Sequence, residues 1–174
     1  MAEKWTTSSA AYLRPRTHGE SDTWTSAAPG RSGQQLLAVD DVAPPLEVAK
    51  LLDLAAGDSS VVRRRLILLD GEPIEIASSY YPSRIAAGTA LASSKKIRGG
   101  APTALADLGY PGTRAVEYIE QRIASDEEGA LLCLAAGASV LTLTRTTYSD
   151  HTPVEASLMV MKAPRRLRYE LEVQ

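Results

Sequence analysis

Leu131-Leu132-Cys133-Leu134-Ala135-Ala136-Gly137 echoes Leu51-Leu52-Asp53-Leu54-Ala55-Ala56-Gly57, and the two stretches lie 80 residues apart (131 − 51 = 80). Laid on one another without a gap, residues 51–77 and 131–157 agree at 11 of 27 positions. Average residue usage would give roughly two by chance. An alanine-rich composition could produce Leu-Ala-Ala-Gly twice. It does not produce Arg65/Arg145, Asp70/Asp150, Pro73/Pro153 and Glu75/Glu155 in the same register. The chain is therefore read as one unit used twice.

Local rules give the unit its shape. Ser125-Asp126-Glu127-Glu128 is a capping box, in which Ser125 caps the Glu128 amide and Glu128 reaches back. The helix it opens is expected to run to about Ala136, with Gly137 supplying the left-handed residue that ends it. In the first copy Pro45 stands where Ser125 stands and Gly57 is expected to close the helix. A strand follows each glycine, SVVRRRLILL and SVLTLTRTTY. A turn comes next, Asp70-Gly71 in one copy and Ser149-Asp150-His151 in the other. Return strands PIEIASSYY and PVEASLMVM complete each hairpin, and QQLLAVDDV and RAVEYIEQRI precede the helices as further strands. Two strand–helix–hairpin units predict an α+β fold, with a mainly antiparallel six-stranded sheet, helices against one face and an internal pseudo-twofold. Between the halves, residues 95–100 read as a loop and Pro102–Leu108 as a short helix closed by Gly109. Residues 1–33 read as an irregular arm, with Trp5, Tyr12 and Trp24 available to pin it, and residues 34–174 as the folded domain.

Strand alternation then puts polar groups where a core is expected. Arg145 points the same way as Leu141 and Leu143, and Arg65 the same way as Val61 and Ile67. A guanidinium on an apolar face is costly unless paired, and its fork suits a carboxylate or phosphate. Glu75 and Glu155 follow at equivalent places on the return strands. Two readings stand side by side: ion pairs Arg65–Glu75 and Arg145–Glu155 inside each hairpin, or one polar pocket shared by the halves. Arg63, Arg64 and Arg65 cannot all face one way, so Arg64 is expected in solvent. Arg165, Arg166 and Arg168 look like a surface cluster. Tyr80, Tyr81, Tyr148 and Tyr169 could stack on a ligand or simply pack.

Composition narrows the function. The 174 residues suit one domain; hydrophobic residues make up 44%, charged residues 23%, and the net charge is −2. No apolar run is long enough for a membrane span, and the first residues carry no apolar signal core. The single cysteine, Cys133, excludes an internal disulfide, suits a reducing cytoplasm, and is expected as a buried, inert thiol. His18 and His151 have no metal-ligand partners at useful spacing, and no phosphate loop, nucleophile elbow or dinucleotide fingerprint occurs. No metal or cofactor is expected, and a binding module is favoured over an enzyme.

A series of weak motifs makes a resemblance. Val61-Val62-Arg63-Arg64-Arg65, Leu69-Asp70-Gly71-Glu72-Pro73, Ser79-Tyr80-Tyr81-Pro82, Leu105 with Leu108-Gly109, Glu117, Arg122, Glu127-Glu128, Val140-Leu141, Arg145-Thr146-Thr147-Tyr148 and Pro153-Val154-Glu155 stand in order. Together they resemble the UTRA domain, the effector-binding half of HutC-type GntR bacterial transcription regulators, over roughly residues 36–172. The resemblance implies a chorismate-lyase-like fold and a small-molecule effector that alters a dimer's affinity for DNA. Glu155 stands in the family's Pro-x-Glu position, so the resemblance implies pocket roles for Arg65, Arg145 and Glu155; Glu75, Tyr80 and Tyr148 complete the expected ligand-binding set. Two positions depart from members that bind sugar phosphates: Ala77 stands where many carry Glu, and Gly99-Gly100-Ala101-Pro102 replaces their Ser-Leu-Tyr motif. A different polar or anionic effector is implied.

The expected protein is a cytoplasmic, homodimeric effector domain, stand-alone or separated from its winged helix-turn-helix, that meets DNA only through a domain this chain lacks. One alternative is a lyase of the chorismate-lyase type, with arginines for substrate carboxylates and Glu155 or Glu75 as the acid. Another is a dimerisation module for a full-length GntR-type regulator. For DNA itself the charge decides. With a net charge of −2, and with Lys95, Lys96, Arg98 and the Arg165 cluster offset by 21 acidic residues, little is left to neutralise phosphates. The expected outcome of a gel shift on promoter fragments at physiological salt is no specific, competitor-resistant band.

Overall fold

A computed structural model describes residues 6–7, 15 and 30–169 of the chain. Trp5, Tyr12, His18 and Trp24 lie outside the described residues. Six long strands form the body: β1 (Ser32–Val42), β2 (Ser60–Leu69), β3 (Glu72–Pro82), β4 (Arg114–Ile123), β5 (Ser139–Ser149) and β6 (Thr152–Lys162). All neighbours run antiparallel, in the order β1-β2-β3-β6-β5-β4. Each half of the repeat supplies three adjacent strands, and the halves join along β3–β6.

The join is symmetric. Ser78 pairs with Leu158, its own counterpart in the repeat (78 + 80 = 158). Ser79 pairs with Ser157 and Ala77 with Met159, so the pseudo-twofold passes through the Ser78/Leu158 pair. The symmetry reaches the backbone. Asp70 and Asp150 both turn their hairpins with φ 52°. Each return strand bulges one residue after its proline, at Ile74 and at Val154. A bulge puts two successive side chains on one side. Ile74 thereby joins Ile67 and Met161, and Val154 joins Val61 and Tyr81, on the face that also carries Glu75 and Glu155.

Helices α1 (Leu46–Leu51) and α4 (Asp126–Leu132) cover the opposite face. Each crosses the join. Val48 and Leu52 pack on Ala156 and Leu158 of the second half, and Leu132 packs on Leu66 and Ile76 of the first. Full burial of Leu52 and Leu132 stabilises the fold by about 2 kcal/mol each. The Ser125–Glu128 capping box forms with both reciprocal bonds, and an Arg122 fork on Glu128 completes it. Arg64 also reaches this face, half-exposed rather than fully solvated, and pairs with Glu127 of α4 at 2.6 Å.

The helices stop earlier than expected. Neither runs to Ala56 or Ala136, and neither Gly57 nor Gly137 is the cap. The left-handed residues are Asp53 (φ 49°) and Cys133 (φ 52°). Leu54 N–H donates to Ala49 O and Leu134 N–H to Gly129 O, both at 2.9 Å, which is the six-to-one bond of a Schellman end. The early stop turns Cys133 outward, so its thiol is exposed rather than buried. Nor do helices keep to one face. The connection between the halves forms α2 (Ser83–Ala86), a 3-10 turn (Ala90–Ala92) and α3 (Gly100–Asp107), and Ile85, Leu91 and Leu105 pack on Val61 and Tyr81 of the other face. The amino-terminal boundary shifts too. β1 already begins at Ser32, and Thr6–Thr7 forms a two-residue parallel pairing with Arg166–Leu167. No helix among the described residues is long and apolar enough to cross a membrane.

A side chain in the left-handed region is strained where glycine is not. Cys133→Gly should therefore raise the unfolding free energy by about 0.5–1 kcal/mol, measured by urea denaturation. Cys133→Ala, which keeps a Cβ, should give no such gain.

Candidate functional site

The face opposite α1 and α4 holds a cavity of about 510 Å³, within the usual range for small-molecule sites. Its floor is the sheet around the pseudo-twofold. Its roof is the segment from Ser94 to Pro102, which exists once because it joins the halves. Arg63 fixes that roof: its guanidinium donates to the carbonyls of Leu91 (3.0 Å), Ser93 and Lys95 (3.3 Å). The roof turns at Gly99 with φ 72°, where a Cβ would meet Thr103 Oγ1 at 2.6 Å. Only glycine fits there.

Arg65, Glu75, Arg145 and Glu155 all line this one cavity. The pairing expected within each hairpin does not form. Arg145 Nε lies 3.0 Å from Glu117 Oε1 on β4. Glu75 is paired with Arg165, a residue expected on the surface whose side chain is 3% exposed; Arg166 and Arg168 are exposed. Arg165 arrives on a strap that follows β6. Leu167 of the strap packs on the cluster of Leu143, Met159 and Met161, and the Tyr169 hydroxyl donates to Glu117 Oε2 at 3.1 Å.

Between the halves runs a chain of hydroxyls. Arg65 Nη2 donates to Ser79 Oγ (3.2 Å), Ser79 and Ser157 are 2.9 Å apart, and Ser157 Oγ donates to Glu155 Oε1 (3.0 Å). A carboxylate only accepts, so Ser157 must receive from Ser79. The chain is thus polarised from guanidinium to carboxylate across the symmetry axis. Tyr81 OH also donates to Glu155 Oε1 (3.0 Å) and Thr147 Oγ1 to Oε2 (3.5 Å). Burial, and then Glu155, push the Tyr81 phenol far above its ordinary value, which keeps it a proton donor.

Tyr80 and Tyr148 do not reach the cavity. Strand alternation turns Tyr80 to the helix face, against Val48, Leu52 and Leu158. Tyr148 lies under the Arg114 guanidinium, 3.8 Å from ring centroid to Cζ. The tyrosine in the cavity is Tyr81. Ser79, Ser157 and Arg63 were not expected in the site and Tyr81 was passed over for Tyr80, although all four follow from the alternation that placed Arg65 and Glu155.

Buried charge leaves unmet demand. Among the described residues Arg65 Nε and Glu75 Oε1 have no hydrogen-bond partner, although a buried polar atom ordinarily has one. Burial pushes the Glu75 carboxyl up to about 7, outweighing the pull of Arg165, Arg145 and Arg65.

The comparisons with known proteins agree with this architecture. The sequence profile of the UTRA domain matches residues 28–165. An uncharacterized HTH-type transcriptional regulator of Streptomyces coelicolor is 34% identical over 134 residues, covering 75% of this chain and 50% of that protein. The chain thus spans about half the length of this relative. Among solved structures, the ligand-binding domain assigned to a GntR-family transcriptional regulator of Bordetella bronchiseptica superposes with a TM-score of 0.70 at 25% identity, over 82% of this chain and 92% of that one. PhnF of Mycobacterium smegmatis superposes with a TM-score of 0.80 at 19% identity, over 98% of this chain and 73% of that one, a likeness of fold.

The raised Glu75 value has a signed consequence. A carboxyl held above its ordinary 4.5 contributes stability that is complete below the unfolded value and lost as pH rises through the folded one. Between about pH 5 and about pH 8 the wild-type unfolding free energy should fall more steeply than that of Glu75→Gln, measured by urea titration at each pH.

Proposed function

The chain belongs to the UTRA domain family, and on that premise we propose that it is an effector-sensing domain of transcription regulation whose cavity binds a small polar or anionic metabolite. The observation that carries this reading is the pair of opposite charges held apart on the cavity floor. Arg65 stands at one end of the Ser79–Ser157 relay and Glu155 at the other, and each offers hydrogen-bonding capacity to the cavity. A carboxylate or phosphate of the ligand meets Arg65, while a hydroxyl or ammonium meets Glu155. Glu75 and Arg145 complete the charged lining. Tyr80 and Tyr148, expected beside them, have no part in this reading.

In this reading the protein senses its ligand and does not transform it. It acts in the cytoplasm as a homodimer, and contact with DNA belongs to a separate domain of a full-length regulator. Turnover of chorismate to 4-hydroxybenzoate would overturn the sensing role in favour of a lyase.

The test is a thermal-shift screen of carboxylated and phosphorylated metabolites against the purified chain. A ligand that binds only the folded state raises the transition temperature. Arg65→Ala removes a charge-assisted contact and should weaken such a ligand by about tenfold or more. A ligand that stabilises Arg65→Ala as much as wild type would dismiss the assigned pocket.

A further inference from the structure

Strand geometry alone would bring Arg65 and Glu75 together. Arg65 pairs with Ala77 and Ile67 with Glu75 across β2–β3, which makes the two charges diagonal neighbours on one face, a separation that long side chains span. They do not pair. Arg165 takes Glu75 from the other side, with Nη2 2.5 Å from Oε2 and both side chains almost fully buried. Arg165 itself does not line the cavity. Of the cavity arginines, Arg63 is committed to roof carbonyls and Arg145 to Glu117. Among the described residues Arg65 makes one side-chain hydrogen bond, to a serine, and no carboxylate lies within ion-pair distance of it.

We propose that Arg165 is a specificity-determining residue that acts through Glu75: by engaging this carboxylate from outside the cavity, it leaves the Arg65 guanidinium open to an anionic ligand. The proposal rests on the effector-cavity reading and adds to it a positioning residue that never touches the ligand. Two other cations act on this carboxylate, Arg145 and Arg65; Arg145 is held by Glu117, so without Arg165 the carboxylate turns to Arg65, and the two close the anion site on themselves. The carboxylate cannot stay unpaired at that depth without a large penalty. The strap that carries Arg165 also pairs with Thr6–Thr7, so the engagement of Glu75 is tied to the docking of the strap.

The experiment reads Arg65 directly, without knowledge of the effector. Phenylglyoxal modifies arginines that carboxylates do not engage, and peptide mass spectrometry resolves the rate at each site. The reaction is run at about pH 9, well above the value of about 7 that Glu75 holds beside Arg165, because removing Arg165 raises this carboxyl further. In the wild type Arg65 should react readily, and inorganic phosphate should slow it. In Arg165→Gln the Arg65 rate should fall about tenfold, the loss expected when a carboxylate engages the guanidinium. The double variant Glu75→Gln/Arg165→Gln should restore it. If Arg165 served only to anchor the strap, the single and double variants would behave alike. An unchanged Arg65 rate in Arg165→Gln, or a double variant that stays slow, overturns the proposal. Should Arg165→Gln fail to fold, Arg165→Lys offers one contact in place of the guanidinium fork and should give an intermediate rate; an unchanged rate there overturns the proposal equally. Variant rates in the expected order without phosphate protection in the wild type would uphold the role of Arg165 and count against the anionic effector.

Discussion

Everything on the cavity face follows from the register of β3 against β6. Because Ser78 meets its own repeat counterpart Leu158, the two halves are related by a twofold that leaves each half's Arg and Glu on the same face. The small residues Ala77, Ser79 and Ser157 lie between them, beside Met159. A slip of one residue would carry the whole second half's set to the helix face. α1 and α4 would then lose Ala156, Leu158 and Val160, and Arg145 and Glu155 would be buried under helices with no partner. The apolar crossing of the two helices therefore enforces the register, and the register places the charges. Packing on one side of the sheet specifies chemistry on the other.

The two halves differ where it matters. Arg65 and Arg145 are equivalent by sequence, but their surroundings are not. Glu117 stands beside Arg145 in the second half and pairs with it, whereas the residue beside Arg65 in the first half is Leu36. Glu75 meets Arg165 of the strap, while Glu155 is held by the hydroxyls of Tyr81, Ser157 and Thr147. The covers differ as well. The connection between the halves occurs once and roofs the first half; the strap occurs once and covers the second. A symmetric floor thus lies under two different covers.

Much of this was legible in the sequence because it is local. The 80-residue offset, the six strands and the capping box depend on periodicity and on neighbours a few residues away, and strand ends fall within two residues of expectation. The helix ends were not legible, because glycine marks the usual left-handed residue and here Asp53 and Cys133 adopt it. The exposure of Cys133 follows from the same misplaced end. Tyr80 was preferred to Tyr81 although the alternation through Ser79 already turned Tyr81 inward. The partners of the buried charges lay beyond reach for another reason. Arg165 is 90 positions from Glu75, and nothing in a basic triplet distinguishes the residue that a chain reversal will bury from its exposed neighbours.

The arrangement of charges also explains why a sheet this small keeps so many of them buried. Arg145 with Glu117 and Arg165 with Glu75 are buried ion pairs, and such pairs often contribute little to stability that apolar residues could not match. Arg65 and Glu155 are different. The serine relay joins them and keeps them apart, so neither cancels the other, and each retains a field directed into a partly desolvated space. Holding opposite charges unpaired is costly for folding, and the cost falls when a molecule bridges them. A floor of this kind is preorganised: the reorganisation that a ligand would otherwise have to drive is built into the strands. On the effector-cavity reading, the stability surrendered at Arg65 and Glu155 is the free energy a bound ligand recovers, and folding and ligand occupancy then respond to the same two residues.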